Sequence, residues 1–313
     1  MWETNQIMND TLREYCSYWK YIIPLLSVKK TIIPEEYRWG GRNQYFLFFR
    51  SPAPDDADVS EAAVSRASGP SASAPHANGR VLVFYIHGGG WNSHNPKQDF
   101  YIGQNIASQG YDCVMPCYRK TPGYRYDDIA DDVFRGYAET VKYLAERDRS
   151  YEKIIVMGSS AGAHLGALLC FDRERQEKFG IDERDFAGFL SMAGPLYFGL
   201  PQTGTLNLLL KYLFNSKNTA DWMAGEPYGK LHARKDFRLC MIQSRHDGLV
   251  GYGQAEAFCT KAKEYGIPSE LYEVREKENT HSAYCAAVFL KKPEESQTLT
   301  TAYEMLSRIA AGQ

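Results

Sequence analysis

Ile154-Ile155-Val156-Met157-Gly158-Ser159-Ser160-Ala161-Gly162-Ala163-His164-Leu165 is the stretch on which the reading of this chain turns. An apolar, largely β-branched run gives way, through small residues only, to a run of good helix formers. The expected periodicity therefore changes from strand to helix with Ser160 at the junction. A serine on so sharp a strand-to-helix turn sits in strained backbone, and its neighbours two positions away on either side must be small. Gly158 and Gly162 meet that demand. The Ser160 hydroxyl then projects at the helix N-terminus as a candidate nucleophile, whereas Ser159 is off-centre in the GxSxG pattern.

Upstream, His87-Gly88-Gly89-Gly90-Trp91 follows the apolar run 81–86. Three consecutive glycines leave backbone amides bare, and such amides can face the oxyanion of a tetrahedral intermediate, where losing one donor costs about 10²–10³ in rate. A glycine run alone reads equally as a flexible turn. Strand, histidine, glycines and serine turn in this order favour the chemical reading.

A serine nucleophile needs a base, and the base needs a carboxylate to hold its tautomer. Asp247, in Ser244-Arg245-His246-Asp247-Gly248-Leu249-Val250, follows the apolar run 237–243; His281, in Asn279-Thr280-His281-Ser282, follows the run 269–276. His76, His87, His94, His164, His232 and His246 all lie before that last run. Glu276 and Glu278 are reserve acids. The chain order is Ser, Asp, His.

Around these residues, apolar β-rich runs alternate with amphipathic helical stretches after residue 80. That alternation predicts an α/β fold with a mostly parallel sheet covered by helices on both faces. Strands are expected at 80–86, 111–117, 153–157, 237–243 and 269–276, with a sixth at 188–193 and a strand-like run at 44–50; helices are expected at 127–147, 160–172, 253–265 and 296–311. Residues 51–79 are rich in Ser, Ala, Pro, Asp and Gly and read as a flexible loop within one domain spanning 1–313. The segment 194–236 is longer than one βα connection needs and carries Leu206, Leu208, Leu209, Leu210, Tyr212, Leu213 and Phe214. It reads equally as a cap or as a core helix with two loops. Segments 1–40, with Trp19, Tyr21, Ile22 and Ile23, and 195–235 are the expected cap segments.

The 313 residues are 44% hydrophobic and 24% charged with a formal net charge of -2, which gives no electrostatic bias towards nucleic acid or anionic membrane. No apolar run of about 18 residues is present, so no membrane span is expected. Glu3, Asp10, Arg13 and Glu14 stand where a signal peptide needs an apolar run, which predicts a cytoplasmic protein. The seven cysteines, at 16, 113, 117, 170, 240, 259 and 285, form no CxxC pair, so neither a zinc cluster nor a disulfide framework is expected.

These motifs resemble the hormone-sensitive-lipase-like branch of the α/β-hydrolases, with its neighbouring carboxylesterases and kynurenine-formamidase-like enzymes. His87-Gly88-Gly89-Gly90-Trp91 looks like that family's oxyanion loop, Cys117-Tyr118-Arg119-Lys120-Thr121-Pro122 is similar to its tyrosine-arginine strand end, and Gly158 to Gly162 with Ala163-His164-Leu165 resembles its elbow. The resemblance covers roughly residues 80 to 290. It implies an oxyanion hole made by the amides of Gly89, Gly90 and Ala161. Cys117 stands where the family usually has aspartate, and Thr280 where it has glycine.

Together these readings predict a serine esterase acting on a small-molecule acyl ester, with Ser160, His281 and Asp247 as its triad and no metal or organic cofactor. Thioesters, formamides and acetylated sugars suit the same chemistry, and a non-catalytic ligand receptor on the same fold is the rival from another class.

Overall fold

The structure, a computed structural model, describes residues 10–14, 16, 23–25, 27–52 and 81–313. Its centre is an eight-stranded sheet of order β1-β2-β4-β3-β5-β6-β7-β8. The strands are β1 (Glu35–Arg38), β2 (Tyr45–Phe49), β3 (Val81–Ile86), β4 (Asp112–Pro116), β5 (Lys153–Ser159), β6 (Phe186–Met192), β7 (Arg238–Gln243) and β8 (Ser269–Glu273). The first two pair antiparallel, β2 docks antiparallel on β4, and the remaining pairs are parallel.

All seven strand-like runs of the sequence are strands here, with the last ending at Glu273 instead of residue 276. The eighth strand, β1, was not expected, because its Glu-Glu-Tyr-Arg sequence forms a largely exposed edge and has no apolar alternation.

Every residue of β3 is buried. Leu82, Phe84 and Ile86 enter one apolar cluster while Val81, Val83 and Tyr85 enter the other, so the two-residue pleat splits an unbroken apolar run between both faces of the sheet. Helices α1 (Phe100–Ser108) and α9 (Gln297–Ala311) cover the Val83 face. The Phe84 face is covered by α2 (Tyr126–Ala145), α3 (Ala161–Phe171) and α7 (Tyr252–Glu264). The smaller helices are α4 (Arg173–Phe179), α5 (Gly204–Phe214), α6 (Pro227–Lys230) and α8 (His281–Cys285). The four helices expected from the sequence correspond to α2, α3, α7 and α9 within two residues at each end; α1, α4, α6 and α8 were not expected.

Strand β3 has β4 on one side and β5 on the other, so the chain's direction of winding reverses there. A crevice opens outside the carboxyl ends of the strands at such a point. Ile86 pairs with Gly158, which sets the glycine loop after β3 beside the serine turn after β5.

Apart from Ser51 and Pro52, the expected loop 51–79 lies outside the described residues, as do Trp19, Tyr21 and Ile22. Among the described residues, no helix is long and apolar enough to cross a membrane.

Candidate active site

Ser160 occupies left-handed backbone, φ 54° and ψ −122°, at the N-cap of α3. Close packing enforces the turn. A Cβ on Gly162 would lie 2.0 Å from the Ile86 carbonyl oxygen, and one on Gly158 would lie 2.4 Å from the Gly162 oxygen, so a side chain at Gly162 forces α3 away from the end of β3 and one at Gly158 forces β5 away from the first turn of α3. The strained serine is secured from behind, its amide donating to the Met192 carbonyl at 2.8 Å.

The three polar side chains picked from the sequence meet at this point. His281 Nε2 lies 2.8 Å from Ser160 Oγ, and its Nδ1 lies 2.8 Å and 3.0 Å from Asp247 Oδ2 and Oδ1. An ionised carboxylate only accepts, so Nδ1 carries the hydrogen and Nε2 is left to accept from the serine hydroxyl. Asp247 is held in turn: Oδ1 accepts the amides of Leu249 and Val250, both at 2.8 Å, and Oδ2 accepts the Tyr284 hydroxyl at 2.6 Å and Gln243 Nε2 at 3.3 Å. Burial alone would lower the His281 pKa, but the charge of Asp247, the neighbouring Cys285 and the Asp247 hydrogen bond together outweigh it and hold the imidazole well above the ordinary histidine value. The reserve acids are engaged elsewhere. Glu276 accepts from Ser296, Gln297 and Thr298 at the start of α9, and Glu278 pairs with Lys291.

Planar trans peptides mean that anchoring one carbonyl also fixes the opposite direction for the next residue's N–H. The Gly88 carbonyl accepts His87 Nδ1 at 2.8 Å and the Tyr118 hydroxyl at 3.2 Å, which sets the Gly89 amide. The Gly89 carbonyl accepts the amides of Asn92 and Ser93 at 3.1 Å and 3.0 Å and the Ser93 hydroxyl at 2.8 Å, which sets the Gly90 amide. The Ser160 carbonyl accepts the amides of Ala163 and His164 at 2.9 Å and 3.1 Å, which sets Ala161, whose N–H lies in the first helical turn and has no intrahelical acceptor. Gly89 itself sits at φ 104°, a region that side chains rarely tolerate.

Further contacts, not foreseen from the sequence, stiffen the surroundings. Tyr85 donates to Ser159 Oγ at 2.8 Å, and Ser159 donates to the Cys285 carbonyl at 2.5 Å, so the off-centre serine ties the end of α8, which begins at His281, to the sheet. Trp91 Nε1 donates to His164 Nδ1 at 3.3 Å, and His164 Nε2 donates to the Gly225 carbonyl at 2.8 Å. Burial lowers the His164 pKa to about 4, consistent with this neutral tautomer. Near the N-terminus, Glu14 accepts the Ser282 amide at 3.0 Å and Thr11 donates to the Gly248 carbonyl at 2.9 Å, which lays this segment over the two loops carrying Asp247 and His281.

Ser160, His281 and the three glycines line a cavity of about 250 Å³. Leu25, Tyr101, Ile102, Leu209, Leu249 and Leu290 supply most of its apolar wall. Leu209, from α5, lies over Gly90, within 3.1 Å of where a Cβ would stand there. Leu206, Leu210 and Leu213 of the same helix are buried, so the insertion both packs as core and contributes to the cavity roof. Ile23, expected to overhang the site, is exposed, and Leu25 lines the cavity instead. Among the described residues, no group of acidic, histidine and cysteine side chains is placed to hold a metal ion.

Sheet order, serine turn and crevice define the α/β-hydrolase fold, and this chain has it. The family model described as BD-FAE matches residues 72–193. The chain is similar to esterase LipQ of Mycobacterium tuberculosis, 24% identical over 230 residues that cover 70% of this chain and 53% of that protein. It is also similar to the probable carboxylic ester hydrolase LipM of the same organism, 32% identical over 204 residues, 61% of this chain and 47% of that one. It spans about half or less of the length of the curated relatives it matches. Among solved structures, esterase B from Lactobacillus Rhamnosis superposes with a TM-score of 0.71 at 16% identity, covering 100% of this chain and 96% of that one.

Proposed function

We propose that the chain is a serine esterase that hydrolyses small carboxylic esters through an acyl-enzyme intermediate. One observation carries the reading: the continuous hydrogen-bonded line Ser160–His281–Asp247, 2.8 Å at each nearest contact, beside a cavity. Ser160 Oγ attacks the ester carbonyl carbon while its proton passes to His281 Nε2. Negative charge develops on the carbonyl oxygen, to which the amides of Gly89, Gly90 and Ala161 donate. The carbon–oxygen bond to the alcohol breaks as His281 returns the proton to the leaving oxygen. Water repeats the sequence, with His281 as base again, and releases the acid and free Ser160. Asp247 holds the imidazole in its working tautomer and faces the imidazolium at each proton transfer. These steps need neither metal nor organic cofactor.

The relatives' printed names, esterase and carboxylic ester hydrolase, support this chemistry. Apolar side chains closing a cavity of about 250 Å³ support a preference for short acyl chains. In this reading α5 and the N-terminal segment form the cap, and the free thiols of all seven cysteines fit a cytoplasmic setting. The test is labelling with a fluorophosphonate probe beside turnover of nitrophenyl esters of increasing acyl length. Modification of Ser160 alone is expected, and Ser160→Ala should lose labelling and on the order of 10⁶ in kcat while remaining folded by circular dichroism. Labelling at Ser159, or undiminished turnover in the variant, refutes the assignment; a maximum at long acyl chains refutes the short-chain preference.

A further inference from the structure

A second histidine–carboxylate pair lies in the same cavity. His94 Nδ1 is 3.0 Å from Asp99 Oδ1, and both residues line the cavity with Ser160 and His281. The Asp99 side chain is 7% exposed, while that of His94 is 34% exposed and opens onto the cavity. His94 also stands at φ 63°, in backbone that a residue with a Cβ seldom adopts. Such a conformation persists only where its surroundings hold it, and it marks positions worth a functional question. Its Cβ packs against Gly89, 3.0 Å from where a Cβ would stand on that glycine, so the imidazole is anchored beside the loop that would carry the oxyanion.

Asp99 takes Nδ1, leaving Nε2 as the ring's remaining polar atom. The hydrogen bond that Nδ1 donates to Asp99 raises the His94 pKa despite burial, which favours the form in which Nε2–H is a donor. The ionisable groups acting on it are Asp99 and Lys120, and His87 next to them is neutral because burial and Lys120 lower its pKa far below the usual value. Lys120 Nζ donates to the Tyr118 carbonyl at 2.9 Å. His94 thus presents Nε2 from the wall of a mostly apolar cavity, and an anionic substrate group there would accept the Nε2 hydrogen in a charge-assisted hydrogen bond.

We propose that His94, clamped by Asp99 on the wall of the Ser160 cavity, recognises a carboxylate on the substrate, so that the preferred esters are short and carboxylate-bearing. This rests on the esterase reading above. The carboxylate has two sources, the acyl side or the alcohol side, and the substrates separate them. Monomethyl succinate is compared with its neutral isostere methyl 4-methylpentanoate, and 3-acetoxypropionate with 3-methylbutyl acetate.

The wild-type enzyme is expected to show a higher kcat/KM for one or both carboxylate esters than for the matching isostere. His94→Phe should reduce that ratio on the order of tenfold or more, as loss of a charge-assisted hydrogen bond does, while leaving the neutral esters within a few-fold. If His94→Phe does not fold, His94→Gln, which keeps size and polarity without the charge, serves the same comparison. Succinate should inhibit hydrolysis of the neutral ester in the wild type and less in either variant. A ratio of one or below, or one unchanged by both substitutions, overturns the assignment of His94. Absence of all ester turnover and of Ser160 labelling overturns the esterase reading as well.

Discussion

The cavity at Ser160 holds two histidine–carboxylate pairs with nearly the same contact, 2.8 Å for His281–Asp247 and 3.0 Å for His94–Asp99. Their surroundings differ. The side chains of the first pair are 6% and 0% exposed, and Asp247 accepts four further donors, so the imidazole has one orientation and its second nitrogen meets a serine. In the second pair the histidine is a third exposed, and its ring opens into the space a substrate would occupy. In the proposed reading, identical chemistry serves as a proton shuttle where both partners are enclosed and aimed at a nucleophile, and as a recognition group where one partner stays open. Position in the fold makes the difference: Asp247 and His281 follow the parallel strands β7 and β8, whereas His94 and Asp99 follow the glycine loop at the start of α1.

The comparison breaks most sharply under matched substitutions. Asp247→Asn should cut kcat about 10⁴-fold on every ester, because the amide lets the imidazole take the wrong tautomer. Asp99→Asn should leave neutral esters within a few-fold. Equal losses from the two, read from kcat/KM on nitrophenyl butyrate, would erase the distinction.

A pH profile gives the next largest effect. The reacting form needs His281 neutral, and its pKa is held above the ordinary histidine value of about 6.5, so kcat/KM should rise with pH through an apparent pKa above that figure. The sign follows from the base being the deprotonated species: a raised pKa moves the rise to higher pH. His94→Phe should leave this profile on a neutral ester unmoved, whereas a shift would mean that the second pair takes part in proton transfer.

Smaller effects sharpen the picture of support. Tyr284→Phe removes one donor from Asp247, and Ser93→Ala removes one of three donors from the Gly89 carbonyl. Each should slow turnover about two- to tenfold with KM little changed. A change in KM alone would place these residues in binding, not in orienting the reacting groups.

Much of the fold was legible because β3 to β7 are continuous apolar runs ending in turn residues, the signature of strands buried on both faces. Edge strand β1 was not, since Glu35, Glu36 and Arg38 obey no burial pattern. Ser160, Asp247 and His281 were legible from order along the chain, each following a strand. Their support was not: Tyr284 lies one turn beyond His281, and nothing in His-Ser-Ala-Tyr-Cys marks its hydroxyl as a partner of Asp247. The His94–Asp99 pair was equally hidden, because a five-residue separation in a loop carries no periodicity to read.

His164 has a mechanical consequence. It is one rivet through three layers, fixed in α3, receiving Trp91 from the glycine loop and gripping Gly225 near the end of the inserted segment. Prising Gly225 away would strand a buried N–H at about 1–3 kcal/mol. The insertion is therefore pinned at Gly225 to the helix that follows Ser160 and, through Trp91, to the glycine loop. The roof that Leu209 sets over Gly90 and the floor beneath it are thus parts of one fastened piece.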